Sequence, residues 1–157
     1  MHMQGKPTTM QAALTYPRGV VTEVREFLEA RVNAFVEAGV PRDHLWIDPG
    51  IGFGKTLDHN LTLLNQLSAF HGIAARVAIG TSRKSFLAAI ENNTASPFDD
   101  RMPGTLATNL WAWTLGASVF RNESPRPAPG HLATPQGFSV STCPLARWWL
   151  FAVAIPD

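Results

Sequence analysis

Two glycine-rich segments put chemistry-bearing residues at the ends of short apolar runs: Asp48-Pro49-Gly50-Ile51-Gly52-Phe53-Gly54-Lys55 and Gly80-Thr81-Ser82-Arg83-Lys84-Ser85-Phe86. Each opens onto a stretch with helical periodicity, so each reads as a strand-to-helix junction. In parallel α/β proteins ligands bind at such junctions, because side chains and helix N-termini converge at the carboxyl ends of the strands. A carboxylate ending an apolar run is costly to bury unless it meets donors. A heterocycle that presents an amine beside a ring N–H satisfies both oxygens of Asp48 at once. A lysine facing the same pocket supplies the complementary cation.

Two phosphate-binding readings of the first segment fail on spacing. A Walker A loop ending in Gly54-Lys55-Thr56 needs its first glycine at position 49, which is Pro49. A dinucleotide fingerprint starting at Gly50 needs its third glycine at position 55, which is Lys55. The plainer alternative is a glycine-rich turn that lets strand become helix, and Asp48 weighs against it.

The elements that position these residues follow from periodicity. Val20 to Val40 predicts an amphipathic helix with Val24, Phe27, Leu28, Val32, Phe35 and Val36 on one face, ended by Gly39 and Pro41. His44 to Asp48 predicts a strand, and Leu57 to Phe70 a helix whose Leu61, Leu64 and Leu67 form its apolar face. Arg76 to Gly80 predicts the next strand and Arg83 to Ile90 a helix, followed by a polar loop from Glu91 to Asp100. A last helix is expected over Pro103 to Leu115 and a last strand over Ala117 to Arg121. Alternation at these loop lengths implies an α/β fold with right-handed parallel crossovers. Trp46, Trp111 and Trp113 are expected to fill helix–sheet contacts.

Together with Met1-His2-Met3-Gln4-Gly5 before them and Arg101-Met102-Pro103-Gly104-Thr105-Leu106-Ala107-Thr108 after, in that order and spacing, the two segments resemble dihydropteroate synthase over residues 1–121. The resemblance implies a partial (β/α)₈ barrel, the last three or four βα units, followed by an unmatched tail over 122–157. It implies transfer of a dihydropterin-CH₂ group from its pyrophosphate to the amino nitrogen of p-aminobenzoate, with magnesium accompanying the pyrophosphate and no covalent intermediate on the protein. Carried over by position, Asp48, Lys84, Gly80 and Met1 would bind the pterin; Ser82, Lys84 and Phe53 the p-aminobenzoate; and Arg121 the pyrophosphate. No protein metal site is assigned, since His2, His44, His59, His71 and His131 show no metal-ligand spacing. Arg83 is expected to be a packing or salt-bridge residue.

A complete barrel needs about 250 residues, against 157 here. The family's first four strands are therefore expected upstream of Met1, with Met1 to Gly5 forming the carboxyl end of the fifth, and the start reads as a truncation or an internal start codon. After Arg121 the family would continue with a Val-His pair, but Asn122 and Glu123 follow, and the apolar run Arg147 to Ile155 matches nothing in the family. A frame change near Arg121 explains this; a membrane-surface or partner-binding tail is the rival reading.

With 45% hydrophobic and 16% charged residues and a net charge of +1, the chain reads as a water-soluble globular protein without a nucleic-acid-binding field. A single cysteine, no signal core and no membrane-spanning run favour a cytoplasmic origin. The enzyme alternative is another pterin-binding barrel, such as a methyltetrahydrofolate methyltransferase acting with a corrinoid protein. The non-enzyme alternative is an inactive fragment or interaction partner. The family is often homodimeric, and this chain is expected to self-associate.

Overall fold

The computed structural model describes residues 1–5, 14–90, 97 and 101–122. Helix α1 spans Val20–Glu37, strand β1 Trp46–Ile47, helix α2 Leu57–Asn65, strand β2 Arg76–Ile79, helix α3 Ser85–Ile90, helix α4 Met102–Thr114 and strand β3 Val119–Phe120. Single 3-10 turns over Arg42–His44 and Leu67–Phe70 lead into β1 and follow α2.

The three strands form a parallel sheet in the order β1-β2-β3, pairing Trp46 with Arg76, Ile47 with Val77, Ala78 with Val119 and Ile79 with Phe120. The ladder runs past the strand ends, through Ala75 N–H to Leu45 C=O at 3.0 Å and Arg121 N–H to Ile79 C=O at 2.9 Å. His2 N–H donates to the Asp48 carbonyl at 2.9 Å, which sets residues 1–3 alongside the carboxyl end of β1.

Helix α1 stops three residues before the expected Val40. Gly39 sits at φ +93°, its N–H bonds Val36 C=O at 2.9 Å and Val40 N–H bonds Phe35 C=O at 3.0 Å, a Schellman closure that only a left-handed residue permits. Its buried stripe is Val20, Val24, Leu28 and Val32, while Phe35 and Val36 in the last turn are exposed, so the expected apolar face is buried over its first three turns only. Helix α2 is nine residues rather than the expected fourteen, because Gln66 breaks it before the 3-10 turn. Asn60, Leu63 and Leu64 are its buried line, continued by Leu67 in the 3-10 turn; of the expected face Leu64 and Leu67 are buried, while Leu61 is only half-buried. Thr56 caps it by a reciprocal box with His59: Thr56 Oγ1 accepts from His59 N–H at 3.1 Å and His59 Nδ1 accepts from Thr56 N–H at 3.3 Å.

Helix α3 starts at Ser85 rather than Arg83, because Arg83 takes φ +49° and Lys84 N–H closes a turn on Thr81 C=O at 3.2 Å. The expected loop Glu91 to Asp100, apart from Pro97, lies outside the described residues, as does the tail from Glu123 onward. Helix α4 begins at Met102, with Pro103 in its first turn where a missing N–H costs nothing.

Helix α1 packs on α2, and α2 on α3 and α4. Ile47, Val77 and Ile79 are buried in one core with Val24, Leu28, Leu63, Leu67, Phe70 and Leu87. Alternation along the strands turns Trp46, Arg76, Ala78 and Val119 to the other face, where the Arg76 guanidinium lies 5.8 Å from the Trp46 ring centroid. The three tryptophans depart from expectation. Trp46, Trp111 and Trp113 are each about half exposed, Trp46 because of strand alternation and the other two because Ala112, Asn109 and Thr105 form the buried line of α4.

Candidate functional site

Asp48 continues β1 directly into the first glycine loop, and its Oδ1 accepts from Gly50 N–H at 2.7 Å, folding the chain back over its own carboxylate. Gly50 has φ +75°, and a Cβ there would stand 1.9 Å from the His2 carbonyl oxygen, so this position admits only glycine while residues 1–3 stay beside β1. Gly52 N–H is held by Asn60 Oδ1 at 2.7 Å, and the Asn60 amide donates to Thr56 C=O at 2.8 Å. The Tyr16 hydroxyl donates to Gly54 C=O at 2.9 Å. The first turn of α2 and the segment before α1 thus both grip the loop.

Lys55 lies inside this loop, 5% exposed. Its ammonium donates to Gly50 C=O at 3.0 Å and Phe53 C=O at 2.9 Å, and lies 3.0 Å from His2 Nδ1. Burial lowers its pKa to about 8; the Lys84 charge acts in the same sense and the Asp48 carboxylate against it. The His2 imidazole, buried with its ring edge-on to Phe27 at 5.0 Å, is pushed down to about 4 by burial, then by Lys55 and the N-terminal charge. His2 is therefore neutral at pH 7, and the Lys55 ammonium beside Nδ1, which can only donate, selects the tautomer in which Nδ1 accepts.

The second segment arrives from β2. Lys84 reaches across to the first loop, donating to Ile51 C=O and standing 4.1 Å from the centroid of the Phe53 ring. Ser82 is buried in the turn before α3. Thr81, fully buried, donates to Asn109 Oδ1 at 2.7 Å, and the Asn109 amide donates to Asn122 Oδ1 at 2.8 Å, which joins the ends of β2 and β3 to α4. Arg83 is buried; its backbone N–H donates to Thr105 Oγ1 at 2.9 Å and its carbonyl accepts from Arg101 Nη1 at 3.2 Å. Arg121 leaves β3 with its guanidinium over Gly80, where a Cβ would come within 3.0 Å of Nη2. The close approach that Gly80 permits is here made by Arg121.

Asp48, Ser82 and Arg121 thus follow three parallel strands at one sheet edge, with Lys84 and Phe53 in contact between the first two loops. Met1, about half exposed, lines a groove of about 80 Å³ with Phe27, Phe35, Trp46 and Ile47 beside β1. A concavity of about 220 Å³ at the opposite ends of the strands, lined by His71, Arg76, Gly116 and Ser118, holds none of these residues. Among the described residues no three His, Cys, Asp or Glu side chains converge. No described helix is long and apolar enough to cross a membrane.

Sequence reasoning missed Lys55, His2, Tyr16 and Asn60. Asn60 carried a signal, since it occupies the core phase of α2 with Leu63, Leu64 and Leu67, where a polar side chain needs a specific partner.

The chain belongs to the pterin binding enzyme family, whose model matches residues 1–123 and so takes in both glycine loops and all three strands. The dihydropteroate synthase of Haemophilus influenzae is 42% identical over 121 residues, 77% of this chain and 42% of that protein. Crystal structures of dihydropteroate synthase from Thermus thermophilus, in complex with 6HMPPP and with 4-aminobenzoate, are 37% identical over 78% of this chain, each with a TM-score of 0.71. They are covered over 47% and 49% of their own chains. The chain spans about two fifths of the length of the curated relatives it matches.

Proposed function

We propose that this chain carries the later part of a dihydropteroate synthase, a transferase of folate biosynthesis. Its parallel sheet would be the last three or four βα units of a (β/α)₈ barrel, within a domain over 1–121. In that reaction the amino nitrogen of p-aminobenzoate attacks the CH₂ of the dihydropterin pyrophosphate. The carbon–oxygen bond to pyrophosphate breaks, and the nitrogen loses a proton. The observation that carries the proposal is the contact between the two loops, Lys84 on the Phe53 ring and on Ile51 C=O, beside Asp48 at the carboxyl edge of the sheet.

In this reading Asp48 accepts from the pterin amino group and ring N–H. Its Oδ1 already holds Gly50, which fixes the carboxylate plane while leaving acceptor capacity on both oxygens. Lys84 donates to the acceptor edge of the pterin and borders p-aminobenzoate, whose ring lies against Phe53 and whose carboxylate meets Ser82. Gly80 and Met1 line the pterin pocket, and Arg121 meets the pyrophosphate. Positioning and cationic stabilisation of the leaving group supply the catalysis. Magnesium belongs to the proposal only as the companion of pyrophosphate; no step runs through it.

We expect the isolated chain to lack measurable turnover, because groups that act as a unit lose most of their effect when some are missing. Pterin binding is the property to measure. Equilibrium dialysis against a dihydropterin should show binding that Asp48→Asn weakens at least tenfold; equal binding by the two proteins would reject the role of Asp48. The names of the relatives favour the synthase over the corrinoid-linked methyltransferase. The location that goes with this reading is cytoplasmic. Self-association would use α4, which exposes Leu106, Leu110 and Trp113 at steps of four and three, one outward stripe. Sedimentation should show a dimer or larger species that Leu110→Lys reduces.

A further inference from the structure

We propose that Lys55 is a positioning residue, whose buried ammonium fastens the β1–α2 loop to residues 1–3 and so holds Phe53 in place for p-aminobenzoate; the ligand half of this rests on the reading above. Three partners occupy the ammonium. Gly50 C=O lies at the start of the loop, Phe53 C=O in its middle, and His2 Nδ1 on the segment beside β1. An ammonium has three N–H groups, and here each has an acceptor. A lysine so placed is not a solvated side chain, and a buried charge is retained only where its hydrogen bonds are met. It also differs from a phosphate-loop lysine, since its donors point back into its own loop.

The geometry divides the loop. Phe53 and Gly50 meet through their own bond, Phe53 N–H to Gly50 C=O at 3.1 Å, and both carbonyls lie on Lys55. Gly52 is held separately by Asn60. Removing the ammonium should therefore loosen Gly50 and Phe53 more than Gly52. The charged and titratable groups around Lys55 and His2 are Asp48, Lys84, the N-terminal amine and the Tyr16 phenol, whose ring lies 6.1 Å from the His2 ring.

The test is amide hydrogen exchange on the full chain and on Lys55→Met. Exchange at Gly50 and Phe53 should rise at least tenfold, at Gly52 less, and in α1 not at all, with Lys55→Arg recovering most of the protection. Unchanged exchange at Gly50 and Phe53, or an equal rise throughout the chain, would overturn the proposal. A measurement on the unaltered protein guards against a variant that fails to fold. The His2 imidazole ¹⁵N spectrum should show a neutral ring with the proton on Nε2, persisting down to about pH 4; a proton on Nδ1, or titration near pH 6.5, would overturn it. Saturation-transfer binding separates the two readings. If the chain binds p-aminobenzoate, Lys55→Met should weaken it about tenfold and pterin less, and equal affinities would overturn the positioning role. If the unaltered chain binds neither compound while the exchange pattern holds, the fastening stands and the synthase reading falls.

Discussion

The two loops at the sheet edge solve one problem by different means. The first, between β1 and α2, takes left-handed backbone at Gly50, Gly52 and Gly54 and is tied down by a buried charge on Lys55 together with the side chains of Asp48, Asn60 and Tyr16. The second, between β2 and α3, has its left-handed residue at Arg83, whose N–H and C=O are gripped by Thr105 and Arg101 at the start of α4, while Thr81 is locked into the hydroxyl and amide chain of Thr108, Asn109 and Asn122. Glycine freedom must be cancelled by tethers, and here the central tether is ionisable; the second loop is held at Thr81 by neutral hydrogen bonds. Protonation should therefore act on the first loop more than on the second.

The largest effect that would break this contrast is expected at Gly50. Gly50→Ala imposes a left-handed alanine, about 1–2 kcal/mol, and drives its Cβ into the His2 carbonyl, an overpacking cost of about 1–3 kcal/mol. Urea denaturation should show the summed loss, and a shift of only a few tenths would mean that residues 1–3 do not lie against the loop. Thr81→Val comes next. It strips a fully buried hydroxyl from Asn109 Oδ1 and Thr108 Oγ1, and the stranded Asn109 oxygen should cost about 1–3 kcal/mol, with the same value at every pH near neutrality.

Smaller, and specific to the first loop, is the pH response. His2 has a folded pKa near 4, below its ordinary 6.5, so the unfolded chain binds the proton first. The His2 contribution should be full above pH 6.5 and be lost as pH drops from 6.5 toward 4. Lys55, lowered to about 8 from 10.5, likewise binds its proton more tightly when unfolded, so its contribution should rise as pH climbs from 8 to 10.5. Tyr16, pushed up to about 12 by burial and then by Glu23, works the other way above pH 10, where only the unfolded phenol ionises. Melting curves across pH 4–10 should show the two rises in the parent, and the upper one should vanish in Lys55→Met.

The strands, their parallel order and the convergence of Asp48, Ser82 and Arg121 were legible because each strand is a short apolar run punctuated by glycine. Phase within helices was less so. Leu61 and Leu63 are chemically alike, and only the Asn60 side chain, paired with Gly52, marks the inward line that takes Leu63 along with the expected Leu64. Trp46 misled because hydrophobicity says nothing of which face an alternating strand gives it. Lys55 was hidden for a related reason: its sequence position fits a failed phosphate motif, and only the folded loop shows its three acceptors.

The most direct test is a two-ligand ¹⁵N-amide titration of the full chain. A dihydropterin should shift Asp48, Gly50 and Gly80, p-aminobenzoate should shift Phe53, Ser82 and Lys84, and Asp48→Asn should abolish the first set while sparing the second. Shifts clustered instead at His71, Gly116 and Ser118, at the opposite ends of the strands, would contradict a pterin site at the carboxyl edge.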